Sequence, residues 1–283
     1  MNMDSDKGQV KWQSPSNIAL VKYWGKKGFQ LPSNASISFT LSNCHTTTEL
    51  NWQKSQNSDI QVYVDGQLNM DFLPKIQKFY KSISKLYPVL NQYSYIIKTT
   101  NTFPHSSGIA SSASGMSALA LCVTTMLKQL KELQGNFLQT ASNLARIGSG
   151  SASRSVYGGT VVWGQHHAFT NSADDYAIPF TDVHSVFNNY QDTILLVHEG
   201  QKSVSSSVGH DLLNDHPFAE KRFEIAGKHM IEMQEILKTG SLEAFTKLLE
   251  NEALMLHGLM MTSNPAYLLM EPNTVAIIKK IQQ

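Results

Sequence analysis

The chain has 283 residues, of which 41% are hydrophobic and 16% are charged, which is the composition of a globular protein and not of a disordered one. Its formal net charge of +1 excludes a broad electrostatic attraction to nucleic acid or membranes, so any anion binding must come from local groups. Two cysteines are too few for a disulfide framework, and the sequence has no signal-peptide pattern or membrane-spanning apolar run, so we expect a cytoplasmic protein of one large or two modest domains.

The first third of the chain is predicted to be largely antiparallel β-structure. Alternation of apolar and polar residues predicts four strands, at residues 10–16, 31–41, 46–52 and 60–64. Asp65 and Gly66 are a strong hairpin signal after the last of these strands. A helix at residues 73–86 and a further strand at residues 93–99 complete this part of the chain.

Lys22 and Lys26 flank Tyr23 and Trp24 in a cationic segment after the first strand. In one interpretation, the lysine stems cover aromatic rings on the protein surface. In the other, two lysines four residues apart meet the phosphates of a ligand from one side. The residues alone leave both interpretations open.

A run of small and hydroxylated residues at positions 104–115 leads into an apolar, helix-compatible stretch at residues 116–127. A helix start has unpartnered N–H groups and partial positive charge, and both favour phosphate oxygens. Gly108 and Gly115 allow tight turns and close approach to a ligand. Further donors are three serine hydroxyls, those of Ser111, Ser112 and Ser114. A serine-rich cap on an ordinary buried helix is the alternative, and neither a Walker nor a dinucleotide pattern is present.

A second loop rich in glycine and serine, residues 148–159, follows a helix predicted at residues 137–147. It concentrates hydroxyl and backbone donors around Arg154, whose planar guanidinium suits bidentate contact with phosphate or carboxylate. A flexible linker is the alternative, but a strand pattern returns at residues 160–163. We therefore interpret the segment as a binding loop.

The second half of the chain is predicted to be mainly helical. A strand at residues 194–197 and a hydroxyl-rich turn at residues 203–208 come first. Helical periodicity then predicts three helices, at residues 217–238, 242–260 and 274–281. Gly240 separates the first two.

Four segments carry a family resemblance: NIALVKYWGK at 17–26, LPSNASIS at 31–38, residues 101–115, and GSGSASRSVYGG at 148–159. In order and spacing they resemble the diphosphomevalonate decarboxylase family of the GHMP kinase superfamily, and the resemblance covers nearly the whole chain. It implies an α+β fold of two domains with the active site between them. The ribosomal protein S5-like N-terminal domain is expected at residues 1–182 and the ferredoxin-like C-terminal domain at residues 183–283.

The resemblance also implies a reaction, in which ATP with Mg²⁺ phosphorylates the 3-hydroxyl of mevalonate 5-diphosphate. Loss of that phosphate together with CO₂ gives isopentenyl diphosphate, a step of isoprenoid biosynthesis. Motif position implies catalytic roles for Arg154 and Lys26, with Arg154 on the carboxylate. The implied substrate-binding residues are Tyr23, Lys26, Ser149, Ser151, Arg154 and Ser206. The implied cofactor-binding residues are Lys22, Gly108, Ser111, Ser112 and Ser114. Metal ligands are not assigned, and a homodimer is expected by the same analogy.

One departure from the family concerns its catalytic aspartate, which lies in a late Asp-Ala-Gly-Pro-Asn type motif that has no match up to Gln283. Neither Asp182 nor Asp211 stands in a matching position. We therefore expect the C-terminal domain to be cut short. Three alternatives stay open: a related GHMP enzyme acting on mevalonate or its monophosphate, a truncated inactive member, and a non-catalytic protein that binds ATP or isoprenoid phosphates.

Overall fold

A computed structural model of the chain describes residues 6–104, 109–195, 197 and 206–283, the last range without the side chains of residues 206 and 207. Its strands are β1 (Lys7–Val21), β2 (Lys26–Lys27), β3 (Leu31–Pro32), β4 (Ser36–Lys54), β5 (Ile60–Val64), β6 (Gln67–Leu68), β7 (Tyr93–Asn101), β8 (Thr160–Trp163) and β9 (Ala177–Pro179). Its α-helices are α1 (Leu73–Ile83), α2 (Ser111–Gln129), α3 (Phe137–Gly148), α4 (Ser206–Asp211), α5 (Ala219–Thr239), α6 (Leu242–Met261) and α7 (Pro272–Ile281).

A seven-stranded sheet organises the fold, in the order β6-β5-β7-β4-β8-β9 with β1 paired to β4. Every pair in it is antiparallel except β5 with β7. The long strands β1 and β4 change register between Pro15 and Ser16, where the partners jump from His45 to Leu41. Such a bulge bends a strand, and here it lets β4 pair first with β8 and then with β7.

Most of the predicted elements are present with shifted ends. The strands at residues 60–64 and 160–163 have the predicted bounds, and the hairpin at Asp65 and Gly66 joins β5 to β6. The two strands predicted at residues 31–41 and 46–52 are mostly one strand, β4, because β1 pairs with it on both sides of the bulge.

The strand predicted at residues 194–197 is absent from the three of its residues that the structure describes, and residue 196 lies outside the described residues. Residues 194, 195 and 197 have no regular structure, and within the described ranges no strand pairs with them, so an apolar run alone does not form a ladder here. Half of the hydroxyl-rich turn predicted at residues 203–208 lies outside the described residues. Its other half, residues 206–208, is the start of α4 and not a turn.

Helix α2 is the central helix and packs against β1, β4 and α3. Its side chains are buried on nearly every side between Ala113 and Leu127, as expected of a helix inside a core. Leu119 and Val123 share one apolar cluster with Leu50 of β4. This burial fixes the position of the α2 N-terminus.

A second apolar cluster joins the sheet to α5 and α6. Leu20 and Ile37 from the sheet pack with Met230, Met233 and Leu248. The cluster thus includes residues from both sides of position 182, and the predicted domain boundary there stays a prediction. In the described ranges, no helix combines the length and the apolar character needed to cross a membrane.

Helix α3 positions the second glycine- and serine-rich loop. The side-chain oxygen of Asn136 accepts hydrogen bonds from the N–H groups of Leu138 and Gln139, at 3.0 and 3.1 Å, and so caps the helix start. A 3₁₀ turn, Gly150–Val156, follows the end of α3 and carries Arg154.

We expect Asn136→Ala to lower the free energy of unfolding by about 1 kcal/mol, because the two N–H groups lose their cap. Urea denaturation of the whole chain measures it. Gln134→Ala, which removes an exposed amide two residues earlier, is the control and should change stability by less than about 0.5 kcal/mol. Equal effects of the two substitutions would show that the cap contributes nothing.

Candidate active site

The segment that follows β1 is held in place by side chains from distant parts of the chain. The N–H of Lys22 donates to Oε2 of Glu252 at 2.8 Å, and its carbonyl accepts from Nη2 of Arg222 at 2.9 Å and from Nδ2 of Asn34 at 3.1 Å. The N–H of Gly25 donates to Nδ1 of His210 at 3.2 Å. Helices α4, α5 and α6 therefore fix the backbone that presents the predicted lysine and tyrosine ligands.

A cleft of about 280 Å³ lies between this segment, the start of α2 and the 3₁₀ turn. Its cationic side chains are Lys22, Lys26, Lys75 and Arg154. Its hydroxyl-bearing side chains are Tyr23, Ser112, Ser149 and Ser151. Among the residues that the structure describes, no carboxylate borders the cleft. Such a cleft attracts a ligand that carries several negative charges.

Arg154 is buried at the base of this cleft, with 3% of its surface exposed. Its Nε and Nη2 donate to Oδ1 of Asn17 at 3.2 and 3.1 Å, and its Nη1 donates to the hydroxyl of Ser36. These contacts use three of the five N–H groups and leave one on each terminal nitrogen. In the described structure no acidic side chain pairs with this guanidinium, and burial lowers its pKa to about 10. Two free donors on an uncompensated charge form a site for a carboxylate or phosphate.

Tyr23 contributes a second group that lacks a partner. Its hydroxyl is buried and makes no hydrogen bond in the described part of the chain, and burial raises its pKa. The ring packs against Trp163 at 4.7 Å and against His210 at 4.3 Å. A Cβ at Gly150 would lie 2.8 Å from the Tyr23 hydroxyl oxygen, so only glycine permits this approach.

The two lysines of the segment differ in their surroundings. Nζ of Lys22 donates to the carbonyl of Ala19 at 2.8 Å, and burial lowers the pKa of this lysine although the charge of Glu252 opposes the shift. Lys26 is less buried, and its pKa is also lowered, mainly by burial. Both border the cleft, where an anionic ligand would favour their charged forms.

A smaller apolar cavity of about 90 Å³ adjoins the cleft and borders the start of α2. Ala110 enters the helix in the left-handed region, at φ 53°, and no side chain of the described residues caps the helix start. Ser112 and Lys75 border both this cavity and the cleft. A ligand in the cavity with phosphates at the helix start would therefore meet a ligand in the cleft at these two residues.

The structure brings together most of the predicted site residues. Those that border the cleft are Lys22, Tyr23, Lys26, Ser112, Ser149, Ser151 and Arg154. Ser111 borders the smaller cavity, whereas Lys22, predicted as a cofactor ligand, borders only the cleft. Gly108 and the side chain of Ser206 lie outside the described residues.

Two residues of the predicted phosphate loop lie elsewhere than expected. Ser114 is fully buried, and its hydroxyl is bonded to that of Thr46 at 2.6 Å, so it does not reach either cavity. Gly115 lies inside α2 and not in a turn, but it borders the smaller cavity, where close approach to a ligand was predicted. The helix begins at Ser111, earlier than the apolar pattern indicates. The pattern starts later than the helix because the residues of the first helical turn include polar serines.

Sequence reasoning missed Lys75 and His210. Lys75 lies on α1, and burial together with the charge of Lys26 lowers its pKa. A second lysine, Lys78, follows three positions later on the same side of α1, and this spacing was the sequence signal for a cationic helix face. His210 accepts from Gly25 through Nδ1, which assigns its proton to Nε2, and burial with nearby positive charges lowers its pKa to about 3. It is therefore a neutral donor in a cationic cleft, and no local pattern marks it.

Known proteins match this fold and these motifs. A family model described as the diphosphomevalonate decarboxylase-like N-terminal domain matches residues 14–177. The diphosphomevalonate decarboxylase of Debaryomyces hansenii is 30% identical over 287 residues, which cover 95% of this chain and 72% of that protein. The crystal structure of mevalonate diphosphate decarboxylase from Staphylococcus aureus matches with a TM-score of 0.83 at 27% identity. The match covers 98% of this chain and 81% of that protein's chain. A structure of MDDEF in complex with MVAPP, AMPPCP and magnesium has a TM-score of 0.81 at 25% identity, with 98% and 82% covered. These matches confirm the predicted α+β GHMP kinase fold.

We expect Tyr23→Phe to leave the free energy of unfolding unchanged or to raise it by about 1 kcal/mol, because an unsatisfied buried hydroxyl is removed. The affinity for inorganic diphosphate, measured by calorimetry, should fall about tenfold, because the ligand loses a donor. Tyr95→Phe is the matched control, since its hydroxyl donates to the carbonyl of Leu90 at 2.6 Å. It should lose about 1 kcal/mol of stability and keep its affinity. An unchanged affinity in Tyr23→Phe would remove this hydroxyl from the ligand contacts.

Proposed function

The chain belongs to the diphosphomevalonate decarboxylase family, and we propose that it is an ATP-dependent carboxy-lyase that converts mevalonate 5-diphosphate to isopentenyl diphosphate. The products are ADP, phosphate and CO₂. One observation carries the proposal, which is that the cleft and the smaller cavity share Ser112 and Lys75. Four cations border the cleft, and among the described residues no carboxylate does. The cavity lies at a helix start that no side chain of the described residues caps.

The charge of the cleft matches the substrate. Mevalonate 5-diphosphate carries a diphosphate at one end and a carboxylate at the other, so it needs cations at two places. We assign the carboxylate to Arg154, because this residue keeps one free N–H on each terminal nitrogen and a carboxylate can accept from both. The diphosphate then contacts Lys22 and Lys26, with hydroxyl donors from Tyr23, Ser149 and Ser151. His210 supplies a neutral N–H that needs no protonation to donate.

We assign ATP to the region of the adjoining cavity and the start of α2, with only part of the nucleotide inside the cavity. We assign its base to the apolar walls and its phosphates to the N–H groups at the start of α2, where the helix dipole favours negative charge. The terminal phosphate then lies near Ser112 and Lys75, at the border with the cleft. The family uses ATP with magnesium, and the hydroxyls of Ser111 and Ser112 are oxygen donors of the kind this ion accepts. Bound Mg²⁺ neutralises charge on the phosphates during transfer.

The residues of the cleft serve two chemical steps. In the first, the 3-hydroxyl oxygen attacks the terminal phosphorus of ATP, the bond from that phosphorus to ADP breaks, and the hydroxyl proton passes to an oxygen of the transferred phosphoryl group. Lys75 stabilises the charge on that group. In the second, the new C–O bond breaks and phosphate leaves with the electron pair. The electrons of the C–C bond to the carboxylate then form the double bond, and CO₂ is released. Arg154 orients the carboxylate and keeps it ionised until that bond breaks.

We further propose that the protein is a cytoplasmic homodimer whose domains are residues 1–182 and 183–283. Both cysteines are free thiols, which agrees with a reducing compartment. The matched family model ends at residue 177, close to the proposed boundary. Light scattering on the purified chain tests the dimer.

The activity is tested with Mg-ATP and mevalonate 5-diphosphate while ADP and CO₂ are followed together. We expect equal amounts of both products, because phosphoryl transfer and decarboxylation are coupled. Mevalonate and its 5-phosphate are assayed in parallel, and they should react at least about 10²-fold more slowly because they lack the diphosphate contacts. ADP without CO₂ would indicate a kinase instead, and a preference for the monophosphate would change the substrate.

We expect Arg154→Met to lower kcat/KM by about 10²-fold or more, because the carboxylate loses a charged bidentate partner. Its free energy of unfolding should fall by no more than about 1–3 kcal/mol, because Asn17 loses a buried donor but no buried counter-charge is left unpaired. Arg222→Met is the matched comparison: it leaves Glu252 buried without its partner and should cost about 3–5 kcal/mol of stability. Equal stability losses would contradict the different roles assigned to the two arginines.

A further inference from the structure

A carboxylate lies buried behind the cleft without bordering it. Glu252 of α6 is fully buried, and both of its oxygens are bonded. Oε1 accepts from Nη1 of Arg222 at 2.7 Å and contacts Nδ1 of His229. Oε2 accepts from Nη2 of Arg222 at 2.8 Å and from the N–H of Lys22 at 2.8 Å. One carboxylate therefore joins α5, α6 and the segment that enters the cleft.

This pair does more than hold two helices together. A buried ion pair that served only the core could be replaced by apolar side chains with little loss. Here Glu252 binds the N–H of Lys22, while Arg222 donates to the carbonyl of the same residue. Both polar groups of one backbone residue are thus held by the pair, and the Lys22 side chain borders the cleft.

The charges around Lys22 give Glu252 a second effect. The ionisable groups that interact with the Lys22 side chain lie on four elements. They are Glu252 and His257 on α6, Arg222 on α5, Arg154 in the 3₁₀ turn and Asp192 in the loop after β9. Burial lowers the pKa of Lys22, and Glu252 is the strongest opposing influence. Two guanidinium groups act in the same direction as burial. Without Glu252, the ammonium would lose its main source of negative charge in the protein.

We propose that Glu252 is a positioning residue of the phosphate site, which fixes the Lys22 backbone and keeps the Lys22 side chain charged for a diphosphate ligand. This inference rests on the proposed function for the identity of the ligand. Glu252 does not touch the ligand, because Lys22 lies between the carboxylate and the cleft. The negative charge that maintains a cation for the substrate is thus kept out of contact with the substrate.

The test is the affinity for inorganic diphosphate, measured by calorimetry between pH 6.5 and 9.5 on the full chain. This probe needs no turnover, and its own ionisation is the same for every variant. Glu252→Gln keeps the shape and removes the charge. Glu243→Gln, an exposed residue of the same helix, makes the same charge change and is the control.

We expect Glu252→Gln to bind within about threefold of the unsubstituted protein at pH 6.5 and at least about tenfold more weakly at pH 9, because Lys22 then loses its proton at lower pH. Glu243→Gln should follow the unsubstituted protein throughout. A loss by the same factor at every pH would show that Glu252 acts on the Lys22 backbone alone, and it would overturn the proposed effect on the Lys22 charge. No loss at any pH would overturn both parts of the proposal.

A Lys22→Arg background keeps the test decisive. The site cation does not titrate there, so Glu252→Gln should no longer produce a pH-dependent loss. If Glu252→Gln does not fold, the unsubstituted and Lys22→Arg proteins are compared instead. Both should keep their diphosphate affinity to the same extent up to pH 9, and a loss in the unsubstituted protein alone would show that Lys22 is not kept charged and would overturn the proposal. The expected diphosphate profile in a chain that releases no CO₂ from mevalonate 5-diphosphate would support the positioning role and refute the proposed reaction. Normal CO₂ release together with identical diphosphate profiles in all variants would support the proposed reaction and refute the positioning role.

Discussion

Burial removes water from a guanidinium group, and other polar groups must replace the lost hydrogen bonds. Three buried arginines of this fold obtain these partners in three different ways. Arg146 donates to the backbone carbonyls of Phe29 and Asp175, at 2.7 and 3.1 Å. Arg222 has the buried carboxylate of Glu252. Arg154 has only neutral oxygens within the described structure. The positive charge of Arg154 is therefore the one left available to a ligand, and the strands and the turn that surround the cleft hold it in place.

Features set by neighbouring residues could be predicted from the sequence. The hairpin at Asp65 and Gly66, the helix after the first glycine- and serine-rich loop and the strand after the second all follow from local composition and periodicity. The same holds for the candidate residues within motifs, because Lys22, Tyr23 and Arg154 belong to short segments with an unusual concentration of donors. Family resemblance added the roles of these residues, which spacing alone leaves open.

Features set by distant pairs could not be predicted. Glu252 reads as one more acidic residue on a helix, and only the folded chain brings it to Lys22. His210 carries no local signal either, since its role depends on burial beside Tyr23 and Lys26. The strand predicted at residues 194–197 failed for a related reason: apolar residues favour a strand, but a strand also needs a neighbour. Ser114 has a motif position that suggests a ligand contact, and packing against Thr46 directs it inward.

The hydrogen bonds that fix residues 22–25 join positions that lie 185, 200 and 230 residues apart in the chain. Contacts with such long sequence separation form after the loops between them have closed, so they complete a folding reaction and do not start it. The sheet and α2 can form from nearer neighbours, whereas the cleft acquires its shape when α5 and α6 dock. Partial opening of those two helices would release the Lys22 backbone while the sheet stays folded, so the local stability of the helix pair limits the lifetime of the binding-competent state.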